Sequence, residues 1–229
     1  MQTANIINRK VVMIISKNVN KHAEDLFRRV PELRAVSDPL LAIYSTLENV
    51  FVNGGTLFIC GNGGSGADSE HIVGELMKNF ILMRPHSDEM KKRFAESGAS
   101  DMLDILQPGL PAVSLLSHPA LSSAFTNDVD GLYNYAQQLY VLGKRGDAVI
   151  GISTSGNSKN VYNCFRAASA MGIHTILFTG EKNGKCEELA DLKLKAPSRE
   201  TYLIQEYHIS LYHTLCMMLE ERFFGSSEE

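Results

Sequence analysis

The feature that most restricts this chain is a pair of strand-to-helix junctions made of small residues. Thr56–Cys60 (TLFIC) is a short apolar run, preceded by the stop Gly54-Gly55 and followed by GNGGSG at residues 61–66, after which a helical pattern runs from about Gly66 to Phe80. A second apolar run, Ala148–Ile152, leads into Ser153-Thr154-Ser155-Gly156-Asn157-Ser158, and a helix follows from about Asn160 to Met171. Apolar runs of this length between turn residues read as strands buried on both faces. Alternated with helices, they specify a parallel α/β sheet with helices on both faces. Strand-like runs at 111–116, 175–178 and 192–194, and helical patterns at about 132–142 and 201–224, continue the alternation.

Two segments stand outside that rhythm. Val12, Ile15, Val19, Leu26 and Val30 recur at helical spacing, so residues 1–37 read as a helical N-terminal extension. The next helix has Asp38 as its cap, Pro39 in its first turn and Gly54-Gly55 as its stop. Residues 84–110 are charged, with two short amphipathic stretches between prolines, and read as a helical insertion. At 229 residues and 44% hydrophobic, the chain is expected to form one domain over 1–229.

The net charge of −4 and the lack of a basic stripe argue against nucleic acid as a partner. No stretch reaches the ~18 apolar residues of a membrane span. The N-terminal residues show no secretory h-region. The cysteines Cys60, Cys164, Cys186 and Cys216 lack zinc-finger or CxxC spacing. They read as reduced, mostly buried thiols of a cytoplasmic protein.

GNGGSG matches the dinucleotide fingerprint G-x-G-x-x-G, a weak signal alone. The fingerprint also needs an acidic residue ending the next strand about 20 residues on. Asp88 and Glu89 stand at that distance, but inside the charged insertion. An anion site at a helix N-terminus explains the loop better. The STSGNS loop adds four hydroxyls at a second strand end, suited to a phosphate dianion, and no Walker lysine is present.

The helix after the first loop carries His71 and Glu75 on one face, a pair able to bind a divalent metal or exchange protons. The last helix carries Gln205, His208 and His213 among apolar residues. Either histidine alone would read as a satisfied core residue.

Together, CGNGGSGADSEH, GISTSGNS and IQEYHISLYH resemble the sugar isomerase (SIS) fold, and closely the phosphoheptose isomerases. The resemblance covers roughly residues 39–83 and 111–224. It implies a flavodoxin-like parallel sheet and a ketose–aldose isomerase converting sedoheptulose 7-phosphate to an aldoheptose 7-phosphate. It further implies a homotetramer with zinc-dependent sites shared between subunits. Ser153, Thr154, Ser155 and Ser158 would bind phosphate. Asn62, Gly63, Gly64, Asn127 and Asp128 would line the site. His71, Glu75, Gln205 and His213 would hold zinc, with Glu75 as base and His213 as acid; Gln205 would also touch substrate. Residues 205 and 213 lie ~12 Å apart along a straight helix, so both reach one ion only by leaning together or through a bend. His208, closer in register to Gln205, competes with His213 and ranks below it. The rival reading is a non-catalytic SIS protein, a sugar-phosphate sensor or a protein-binding adaptor. Such relatives lose part of the His/Glu/Gln/His set, which this chain keeps whole. Apolar residues at both ends, including Val11, Val12, Ile14, Ile15, Met217, Met218 and Leu219, are expected to be covered by oligomerisation.

Overall fold

The computed structural model describes residues 15–225. Strand β1 (Leu57–Gly61) pairs in parallel with both β2 (Ala112–Ser114) and β3 (Ala148–Ile152). Strands β4 (His174–Thr179) and β5 (Leu192–Lys195) complete a parallel sheet of order β2-β1-β3-β4-β5. The strand order reverses beside β1, and ligands of open α/β sheets bind at such a point, outside the strands' carboxyl ends. The register sets Gly61 against Ile152. The glycine loop and the STSGNS loop therefore leave the sheet side by side.

The strand period of two divides the core. Leu57, Ile59, Ile150, Ile152, Ile176 and Phe178 face one apolar layer; Phe58, Cys60, Val149 and Leu177 face the other. The first layer is covered by α1 (Lys17–Arg29), α2 (Ser37–Val52), α3 (Gly64–Met77) and α8 (Thr201–Phe224). The second is covered by α6 (Asn134–Leu142) and α7 (Lys159–Met171). All four cysteines are free and buried.

Several boundaries differ from the sequence reading. Helix α2 starts at Ser37 with no side-chain cap, which puts Asp38 in its first turn. Helix α3 starts at Gly64 because Gly63 (φ 55°) makes the turn that admits it. It ends at Met77, as the backbone N–H groups of Phe80, Ile81 and Leu82 turn to donate to the Glu220 carboxylate. Between β2 and α6 lie an unforeseen helix, α5 (Pro119–Phe125), and a π-helical turn, Thr126–Asp130. They bury no residue, so no apolar period announced them. Val11, Val12 and Ile14 lie outside the described residues. Met218 and Leu219 need no partner subunit: both are buried within the α8 layer. The large exposed apolar side chains stand elsewhere, notably Tyr140 and Val141 on α6 and Val129 before it.

Residues 84–110 form α4 (Asp88–Glu96) and a 3-10 turn, Ser100–Asp104, as expected of a helical insertion. Its root is Arg84. The Nε of Arg84 donates to Glu220 Oε1 at 2.8 Å, and its Nη atoms donate to the carbonyls of Glu75 and Leu76, both at 2.7 Å. This buried pair ties the end of α3 to α8.

Candidate active site

Helix α7 opens at Lys159 directly after the hydroxyl-rich loop. Gly156, at φ +66°, adopts the left-handed turn that curls the loop back. The hydroxyls of Ser153 and Ser158 lie 2.9 Å apart across it. The Ser158 side chain does not cap α7, and of its first-turn N–H groups that of Val161 is taken by Asn160 Oδ1 at 3.0 Å, which leaves those ahead of it as donors for an anion. Thr154 and Ser155 line a cavity of about 140 Å³ together with Lys182, Ser198, Arg199 and Thr201. Lys182 and Arg199 bring positive charge that hydroxyls lack, Arg199 while its Nε donates to Glu181 Oε2 at 2.8 Å. They escaped the sequence reading because they sit in separate loops, far from STSGNS along the chain.

The glycine loop is held tight against its neighbours. A Cβ at Gly61 would fall 2.4 Å from the Ser65 carbonyl oxygen, and one at Gly64 would fall 2.6 Å from the Gln205 amide nitrogen. Helix α3 also lacks a side-chain cap. Asn62 pairs with Asn160 of α7 through two amide hydrogen bonds (3.0 and 2.8 Å), and the Tyr135 hydroxyl donates to the Gly61 carbonyl at 2.5 Å. Asn160 and Tyr135 thus brace the two loops against each other, a role that local pattern does not signal.

Helices α3 and α8 run alongside one another, and this resolves the spacing of the polar residues on α8. Gln205 lies against Gly64, and roughly two turns further His213 meets His71. No bend is needed, because the two residues meet different parts of α3. The His71 Nε2 lies 3.1 Å from Glu75 Oε1 and 3.4 Å from His213 Nε2. Ligand atoms of these three residues fall within 4.8 Å of one another, and no other such cluster exists among the described residues. Glu75 Oε2 is buried with no hydrogen-bond partner; Lys78 Nζ stands 3.7 Å away. Burial, reinforced by the neighbouring His71, holds His213 below the ordinary imidazole pKa. Two imidazoles and a carboxylate directed at one point, with an orphaned carboxylate oxygen beside them, fit a divalent metal ion.

This arrangement has counterparts. Residues 127–220 match the SIS domain family. The chain is 38% identical to a phosphoheptose isomerase of Burkholderia pseudomallei over 172 residues, covering 75% of this chain and 76% of that one. The chain belongs to the phosphoheptose isomerase family. A relative of the same name from Trichlorobacter lovleyi is 34% identical over 92% of this chain and 94% of its own. The solved phosphoheptose isomerase of Neisseria gonorrhoeae superposes with a TM-score of 0.69 at 29% identity, covering 89% of this chain and 97% of that one.

In this family member the fingerprint GNGGSG does not serve a dinucleotide site in the expected way, since Asp88 and Glu89 lie in the first turn of α4 and not at a strand end. Asn127 and Asp128 lie in the exposed π-helical turn, where the Asn127 amide donates to the Asp128 carboxylate at 2.8 Å. They do not border the cavity under the STSGNS loop. No helix among the described residues is long and apolar enough to cross a membrane.

His208 separates cleanly from the cluster. It is fully buried, with Nε2 3.2 Å from the Thr179 carbonyl, and burial pulls its pKa down to about 4. A histidine that must stay neutral when folded is protonated more readily when unfolded. Its contribution is therefore complete above pH 6.5 and is lost as pH falls toward 4. Denaturant titrations should show wild type losing stability between pH 7 and pH 5, with on the order of 2 kcal/mol due to this residue. His208→Gln should flatten that slope; an unchanged slope would contradict the assignment.

Proposed function

We propose that this chain interconverts sedoheptulose 7-phosphate and D-glycero-D-manno-heptose 7-phosphate through an enediol(ate), in the role that its relatives' name describes. The observation that carries this is the pair of helix N-termini outside the carboxyl ends of the neighbouring strands β1 and β3, with the His71, Glu75 and His213 cluster further along α3. The STSGNS loop takes the phosphate, with Ser153, Thr154, Ser155 and Ser158 donating hydrogen bonds and Lys182 and Arg199 adding charge. Asn62, Gly63, Gly64, Asn127, Asp128 and Gln205 face the sugar. Glu75 takes the proton from C1, and His213 serves as the acid at the neighbouring oxygen.

His71, Glu75 and His213 would hold one divalent ion, zinc by the chemistry of the donor set, whereas Gln205, two turns away against Gly64, is left to the sugar. When bound, zinc supplies Lewis acidity to a sugar oxygen that gains charge in the reaction. The protein works in the cytoplasm as a homo-oligomer, with the exposed apolar face of Tyr140, Val141 and Val129 as one contact surface.

A non-catalytic sensor or adaptor would have no use for the convergent His/Glu donors, so the catalytic reading is favoured. Replacing Ser153 and Ser155 together with alanine should leave the fold intact and weaken sugar-phosphate binding. Each hydrogen bond to a charged group contributes about 1.5–3 kcal/mol. Calorimetric titration showing wild-type affinity in the double variant would refute the phosphate assignment.

A further inference from the structure

We propose that Tyr212 is a positioning residue for the metal site: its hydroxyl, backed by the Asp68 carboxylate, holds the His71 ring in the tautomer that presents Nε2 to the ion. The proposal rests on the metal reading above, but not on the identity of the sugar.

Tyr212 lies on α8 beside His213 and is 1% exposed. Its hydroxyl stands 2.9 Å from His71 Nδ1 and 3.3 Å from Asp68 Oδ1. Asp68 is buried, its Oδ2 has no hydrogen-bond partner, and the Tyr212 hydroxyl is the only donor its side chain meets among the described residues. The hydroxyl has one proton and two neighbours. A carboxylate can only accept, so the proton points to Asp68, and the phenolic oxygen accepts from His71 Nδ1–H. With the ring proton on Nδ1, Nε2 carries the lone pair. Nε2 is the atom that faces Glu75 and His213. The other tautomer would aim an N–H at the place of the ion and leave the buried carboxylate without a donor.

Sterics support the same role. The Tyr212 ring meets His71 edge to face at 5.4 Å and His213 at 4.9 Å. One side chain therefore wedges both imidazoles while its hydroxyl sets the proton of one. Metal-ligating histidines commonly donate their second N–H to an outer partner, and loss of that partner costs about 10–100-fold in metal affinity.

The test uses the full chain stripped of metal. Zinc affinity is measured by competition with a chromophoric chelator, and the histidine tautomers are read by nitrogen NMR. Tyr212→Phe keeps the packed ring and removes the hydroxyl. It should bind zinc about 10–100-fold more weakly, with little change in the melting temperature of the metal-free protein. Asp68→Asn still offers an acceptor to the hydroxyl and should lose less. Tyr212→Phe binding zinc within about twofold of wild type would overturn the proposal. So would a wild-type His71 carrying its proton on Nε2, a result that needs no variant to fold. A wild-type chain that binds no zinc at all would instead remove the metal reading, and this proposal with it.

Discussion

Glu75→Gln should turn over sedoheptulose 7-phosphate about 10²–10⁴-fold more slowly than wild type, the range that a general base contributes. Glutamine preserves the shape of the side chain and one carbonyl oxygen toward His71, but it cannot take a proton. The fold should survive, because the carboxylate makes no buried hydrogen bond through Oε2 and the backbone of Glu75 is held independently by Arg84. Steady-state rates, with circular dichroism to confirm folding, decide the matter. A folded Glu75→Gln protein with more than about a tenth of wild-type turnover would remove Glu75 from the role of base. His213→Asn should also fall steeply, whereas His208 substitutions should act through stability.

The second large effect is on stability. Glu220→Ala should lower the free energy of unfolding by about 3–5 kcal/mol, the usual result of removing one partner from a buried ion pair. In a chain of this size that corresponds to a melting point lower by roughly 6–20 °C. The reason lies in what is left behind. The Arg84 guanidinium is 1% exposed on its side chain, and the N–H groups of Phe80, Ile81 and Leu82 all point at the lost carboxylate. Glu220→Gln retains acceptors and should lose less. Calorimetric melting of both variants checks the order; Glu220→Ala melting within about 2 °C of wild type would show that the pair does not hold α3 to α8.

This pair marks the limit of what the sequence shows. Glu220 lies in a helix whose bounds, Thr201–Phe224, follow from its pattern, yet nothing local says that its carboxylate caps a turn at Phe80–Leu82. The strands were legible because β1, β3 and β4 are buried on both faces and read as unbroken apolar runs. Helix α5 and the turn after it were not, since they bury nothing. In the site, His71 and Glu75 share a helix face and could be paired by spacing. The separation of Gln205 from His213 became intelligible only when α3 was laid beside α8. Nothing in the sequence singles out Tyr212, because its aromatic ring fits the apolar pattern and its hydroxyl gives no periodic signal.

The most direct measurement is proton NMR of sedoheptulose 7-phosphate incubated with the zinc-loaded protein in deuterated water. Abstraction at C1 and return of a proton at C2 predict the aldoheptose 7-phosphate as product, carrying solvent deuterium at C2. A ketose that stays unchanged while the protein binds it would contradict the account and make the chain a sugar-phosphate sensor or adaptor.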